Sequence, residues 1–175
     1  NVSFGTINNR NSVALDYVDY TLKNYINSIY TTDLFVGETL NLTVGSSLNS
    51  SNKRKFSAYI DYNNNGAFEE SEKNVNEQVF SEGEITKTFP ITLPTTAVKN
   101  VPLRIRLVGG ISDDYIDPEN LIDASDVKYG ACDTRKMGQV VDYTVIIKEV
   151  EGCSGISENI TANLIDNSNG NIILR

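Results

Sequence analysis

At 175 residues the chain is long enough for one well-packed domain. Its 15 Lys and Arg stand against 23 Asp and Glu, a net charge of −8 with a pI near 4.5, which argues against nucleic acid and anionic membranes as partners and favours divalent cations. Without histidine, and with two cysteines, it lacks the parts of a Ser-His-Asp or Cys-His site and of the usual histidine-containing zinc sets.

The chain opens on Asn1-Val2-Ser3-Phe4-Gly5, not on a basic and then apolar leader, and no run reaches the roughly 18 apolar residues of a membrane span. It therefore reads as a mature or excised piece whose targeting segment lies elsewhere. Tyr17 to Leu22 is a first short strand candidate, and Leu22 to Ile29 has room for a helical turn or two. Leu40, Leu42 and Val44 alternate with polar residues, as do Phe56, Ala58 and Ile60, and both runs predict half-buried strands. Glu69 to Val79 again has room for a helical turn or two, and Ile85 to Leu93 predicts a strand that Pro90 confines to an edge or a bulge. Leu103, Ile105 and Leu107 make a further strand, and Val141, Tyr143, Val145 and Ile147 another. Turn signals separate these runs at Gly45-Ser46-Ser47, Asn63 to Gly66, Glu82-Gly83 and Gly109-Gly110. The pattern is all-β, a β-sandwich of jelly-roll or Ig-like type. Its expected extent is residues 1–150, and residues 151–175 read as a linker or tail, a final edge strand, or the start of a following module.

One segment carries a specific chemistry. Residues Asp61 to Glu72 match D-x-[DN]-x-[DN]-G followed by five residues and Glu. Calcium takes roughly six to eight oxygen ligands, which such a loop supplies from the side chains at positions one, three, five and twelve and the carbonyl at seven. Here those are Asp61, Asn63, Asn65, Glu72 and Ala67, with Gly66 permitting the sharp turn. The residues before Asp61 alternate with period two, so the loop is expected at a strand end and not between helices. Its expected role is structural and its expected cofactor Ca2+. Two Asn ligands lower the site charge and imply modest affinity.

Other features are less specific. Six acidic residues from Asp113 to Asp126 fit no named cation loop and read as a solvated insertion. Arg104 and Arg106 share one strand face, suited either to an anionic partner or to a surface ion pair. Tyr17, Tyr20, Tyr59 and Tyr62 suit either a ligand-contact face or ordinary strand packing. Cys132 and Cys153 leave a disulfide and two reduced thiols both open.

Taken together, several segments resemble the GEVED domain of secreted and surface proteins in Bacteroidetes-type bacteria, over about residues 2 to 148. They are Val2 to Asn9, Tyr17 to Thr21, Tyr59 to Phe68, the pair Arg104 and Arg106, and Gly138 to Val145. The naming signature departs here: Gln139 and Val141 stand where the family has Glu, and Asp142 alone of that acidic trio remains. The resemblance implies a β-sandwich with bound calcium in an accessory role, often beside metalloproteases or adhesin-like modules. The expected function is a non-catalytic, calcium-stabilised module of a secreted or cell-surface multidomain protein, contacting polysaccharide, protein or neighbouring domains. Arg104, Arg106, Tyr59 and Tyr62 are its candidate ligand contacts. The alternative is a hydrolase such as a carboxylate-based glycosidase, for which no acid and base pair stands out.

Overall fold

The computed structural model describes residues 1–10, 17–21, 30–45, 54–81, 83–111, 130–132 and 138–150. Among them run ten strands: β1 (Val2–Phe4), β2 (Ile7–Asn9), β3 (Tyr17–Asp19), β4 (Thr31–Phe35), β5 (Thr39–Gly45), β6 (Arg54–Ile60), β7 (Lys73–Phe80), β8 (Thr86–Thr92), β9 (Pro102–Ile111) and β10 (Gln139–Lys148). A 3-10 turn at Glu70–Glu72 lies between β6 and β7.

Two sheets form a β-sandwich, as the alternation predicted. The smaller has the order β2-β1-β5-β8, and its pairings are antiparallel. The larger has the order β3-β10-β9-β6-β7, with β4 also on β10. Both β3 and β4 run parallel to β10, β3 against Val140 to Asp142 and β4 against Thr144 to Lys148, so together they make one interrupted column along that edge. Pro90 lies in the edge strand β8, opposite Asn41, where its missing N–H breaks no inter-strand bond on the open side.

Inward residues of both sheets form one core. Phe4, Ile7, Leu42, Val44 and Ile91 of the smaller sheet face Phe56, Ile60, Leu103, Ile105, Tyr143, Val145 and Ile147 of the larger. Phe56 and Phe89 stack across the two sheets with centroids 5.7 Å apart. Each fully buried Leu or Ile contributes roughly 1.5–3 kcal/mol. At the β1–β2 turn Gly5 has φ +55°, and a Cβ there would collide with Thr32 Oγ1, which accepts the Thr6 N–H at 2.9 Å.

The structure corrects several expectations. Of the helical turn or two for which Glu69 to Val79 has room, the structure forms one 3-10 turn at Glu70–Glu72, and β7 takes the rest from Lys73. Gly109 and Gly110 lie inside β9, opposite Phe56 and Lys55, and so do not form a turn. Strands β6 and β10 are buried on both faces: Ser57, Tyr59, Asp142 and Thr144 point away from the core yet are covered. Phe68, Ala131 and Val140 pack with Tyr59 and Val108 in a second apolar cluster on that outer face. The segments Leu22 to Ile29 and Asp113 to Asp126, Cys153 and the tail from residue 151 lie outside the described residues.

Candidate functional site

The Asp61–Glu72 loop joins β6 to β7, and its ends are brought together by strand pairing. Tyr59 is opposite Lys73 in an antiparallel register, which sets residues one and twelve of the loop side by side just beyond the last paired residues. Asp61 N–H donates to Arg104 C=O at 3.0 Å, fastening the loop start to β9. Tyr62 C=O accepts the Val98 N–H at 2.8 Å, and the Tyr62 phenol donates to Asn74 Oδ1 at 2.7 Å.

Within the loop the ligand-position side chains organise the backbone. Asp61 Oδ1 and Oδ2 accept the N–H groups of Asn65 and Gly66 at 3.1 and 3.0 Å. Asn63 Oδ1 accepts Asn65 N–H at 2.9 Å, and Asn65 Oδ1 accepts Ala67 N–H at 2.8 Å. Glu69 Oε2 and Oε1 receive the Nδ2 groups of Asn63 and Asn65 at 3.0 and 2.5 Å, turning the Oδ1 atoms toward the loop main chain. Glu72 accepts from Asn63 N–H and Glu69 N–H, both at 3.2 Å, the latter closing a reciprocal capping box. Asn64 and Gly66 adopt φ of +57° and +83°, the two left-handed residues that let the chain fold back.

Asp61 and Glu72 are each only 3% exposed, and no described Lys or Arg is paired with either. Burial, and then the neighbouring Glu69, push the Glu72 carboxyl above the usual range. Two buried carboxylates without a cation form an electrostatic arrangement that a hard cation would relieve. The donor set fits such an ion in kind, because Asp61, Asn63, Asn65, Glu72 and the Ala67 carbonyl supply oxygen alone. The described residues draw no three carboxylate or thiolate side chains onto one point, so amide and main-chain oxygens would complete the shell.

A second group stands beside the loop. The guanidinium of Arg106 grips Asp142, Nε to Oδ1 and Nη2 to Oδ2, both at 2.7 Å, while its Nη1 donates to Ala131 C=O at 2.9 Å. Tyr17 adds a phenol donating to Asp142 Oδ2 at 3.0 Å. Asp142 is fully buried, so the surface ion pair foreseen for the arginines is instead an internal one. Arg106 also lies 5.1 Å from the Phe68 ring centroid, and Phe68 meets Tyr59 at 5.9 Å, which ties the loop to β9 and β10. Partial burial first, and the Asp142 charge second, push the Tyr17 phenol up to about 12.

The remaining candidate contacts separate. Tyr20, Tyr59 and Tyr62 are buried in packing, while Tyr17 is half exposed, so the four tyrosines share no open face. Arg104 shares the Arg106 face but stays solvent-facing, its Nε 3.8 Å from Asp142 Oδ2. It lines a cleft of about 570 Å³ with Thr21, Asp61, Asn64, Asn65 and Thr144. Sequence reasoning did not single out Thr21, Asn64, Glu69 or Thr144; only their folded positions mark them. Val141 faces the core.

A family model described as the GEVED domain matches residues 55–146, just over half of the chain, a span that contains the loop, both arginines and Asp142. No curated protein matches.

Proposed function

This chain belongs to the GEVED domain family, and from that premise we propose that it is a non-catalytic, calcium-stabilised binding module of a secreted or cell-surface multidomain protein. The observation that carries the calcium reading is the pair of buried carboxylates, Asp61 and Glu72, set at positions one and twelve of an oxygen-rich loop with no described cationic side chain paired to either. A cation there would neutralise both and lock the β6–β7 connection, so the ion serves stability and shape. A loop whose ends are fixed by a strand pair has little room for the helix opening of a calcium sensor, which favours a structural role. Modest affinity suits millimolar calcium outside cells, which supports the extracellular setting. The absence of histidine from the sequence and the commitment of Asp142 to Arg106 favour the non-catalytic reading.

Thermal unfolding in excess chelator and in millimolar calcium, together with titration calorimetry, tests the proposal on wild type, Asp61→Ala and Glu72→Gln. Calcium at 100 times its dissociation constant adds about 2.7 kcal/mol of stability. That gain should vanish in Asp61→Ala and shrink in Glu72→Gln, a milder change that keeps a hydrogen-bonding side chain in place. No heat and no shift in the wild type would refute the calcium reading. Turnover of any member of a glycan panel would refute the non-catalytic one.

A further inference from the structure

The fold leaves one guanidinium under-used. Arg106 takes both oxygens of Asp142, so Arg104 keeps only a 3.8 Å approach through Nε, beyond hydrogen-bond reach. Its side chain is 43% exposed and projects into the cleft beside the loop. Thr21, Asn64 and Asp61 line the same cleft, and its volume lies within the range of small-ligand sites.

We propose that this cleft binds a uronate residue, a sugar bearing one carboxylate, and that calcium in the neighbouring loop strengthens the binding. The inference rests on the reading of the chain as a calcium-stabilised binding module and adds a ligand class to it. A planar guanidinium matches a carboxylate in two parallel hydrogen bonds, while Thr21 and Asn64 offer donor and acceptor groups suited to ring hydroxyls. A neutral sugar would leave Arg104 with only its 3.8 Å approach to Asp142, and an acidic peptide lacks the ring hydroxyls that the Thr21 and Asn64 groups suit. The net charge of −8 disfavours an extended polyanion spread over the surface, but not a single carboxylate held at one guanidinium. Calcium enters through Asp61, which belongs to the loop and lines the cleft: its negative charge repels the ligand carboxylate, and a bound cation would offset that repulsion. By linkage, uronate must then tighten calcium by the same factor.

The test is an NMR titration of the isotope-labelled full chain with digalacturonate, its methyl ester and an Asp-containing tripeptide, each in calcium and in chelator. Digalacturonate should move the Thr21, Asn64, Arg104 and Thr144 amide signals with saturation, and the ester and peptide should bind at least tenfold more weakly. Arg104→Gln should weaken digalacturonate roughly tenfold or more while leaving the calcium-dependent melting shift intact. Chelation should weaken it by roughly fivefold or more. Equal binding of the ester or the peptide, undiminished binding in Arg104→Gln, or no response at these amides would overturn the uronate site. Calcium heat without any uronate response overturns this inference and leaves the loop reading standing. Arg104-dependent uronate binding by a protein that takes no calcium overturns the coupling and the loop reading, and keeps the cleft.

Discussion

Asp142 shows how much one buried charge depends on its partners. With both oxygens held by Arg106 and one also by Tyr17, the carboxylate is fully compensated at zero exposure. Removing its charge strands the guanidinium, so Asp142→Ala should lower stability by about 3–5 kcal/mol in urea unfolding, well beyond a surface pair. Tyr17 gives a pH signature for the same contact. A phenol raised from 10.0 to about 12 on folding stabilises the native state fully below pH 10, and that contribution is lost as pH climbs through 12. Burial also raises the Tyr59, Tyr62 and Tyr143 phenols, so tyrosinate absorbance should show a late-titrating component that loses one tyrosine's amplitude near pH 12 in Tyr17→Phe. The Arg104 and Arg106 side chains were placed on one face by period two alone, yet their different fates were not legible, because Asp142 sits 36 residues from Arg106 and only the β9–β10 register brings it opposite.

At the scale of the element, the β6–β7 hairpin holds the ends of the Asp61 to Glu72 loop without helices, through the Tyr59 and Lys73 pairing. Its geometry was legible in the sequence because the motif is local, and the left-handed positions fall where the turn demands them. Gly66 has φ +83° and open space around its missing Cβ, so Gly66→Ala meets no clash and should cost about 1–2 kcal/mol from backbone strain alone. Calorimetry should also show weaker calcium binding by that variant. Strand β7 was not legible. Val75 and Phe80 both face the core although they lie five positions apart, an odd offset that a regular strand forbids; register shifts opposite Phe56 to Tyr59, with Glu77 at φ +42°, restore the phase. Irregularity in this edge strand also discourages pairing with another chain.

Across the whole molecule, the sandwich depends on one core contributed by both sheets, so neither sheet is expected to survive alone. Leu42→Ala in the smaller sheet and Ile105→Ala in the larger should each cost about 2–5 kcal/mol and leave a single cooperative unfolding transition, seen alike by circular dichroism and tyrosine fluorescence. The amino-acid sequence by itself determined the all-β class, the inward faces of β5, β6, β9 and β10, the edge position of Pro90 and the oxygen-bearing positions of the Asp61 to Glu72 loop. Each of these follows from side-chain alternation or from spacing within a dozen residues, which the backbone transmits directly. Tertiary structure alone decided the parallel docking of β3 and β4 on β10, the covered outer face of the larger sheet, the capture of Arg106 by Asp142 and the exposure of Arg104 in a cleft beside the loop. Those features arise between residues far apart in the chain, where sheet register and the packing of Phe68 and Ala131 select among partners that local sequence leaves equivalent.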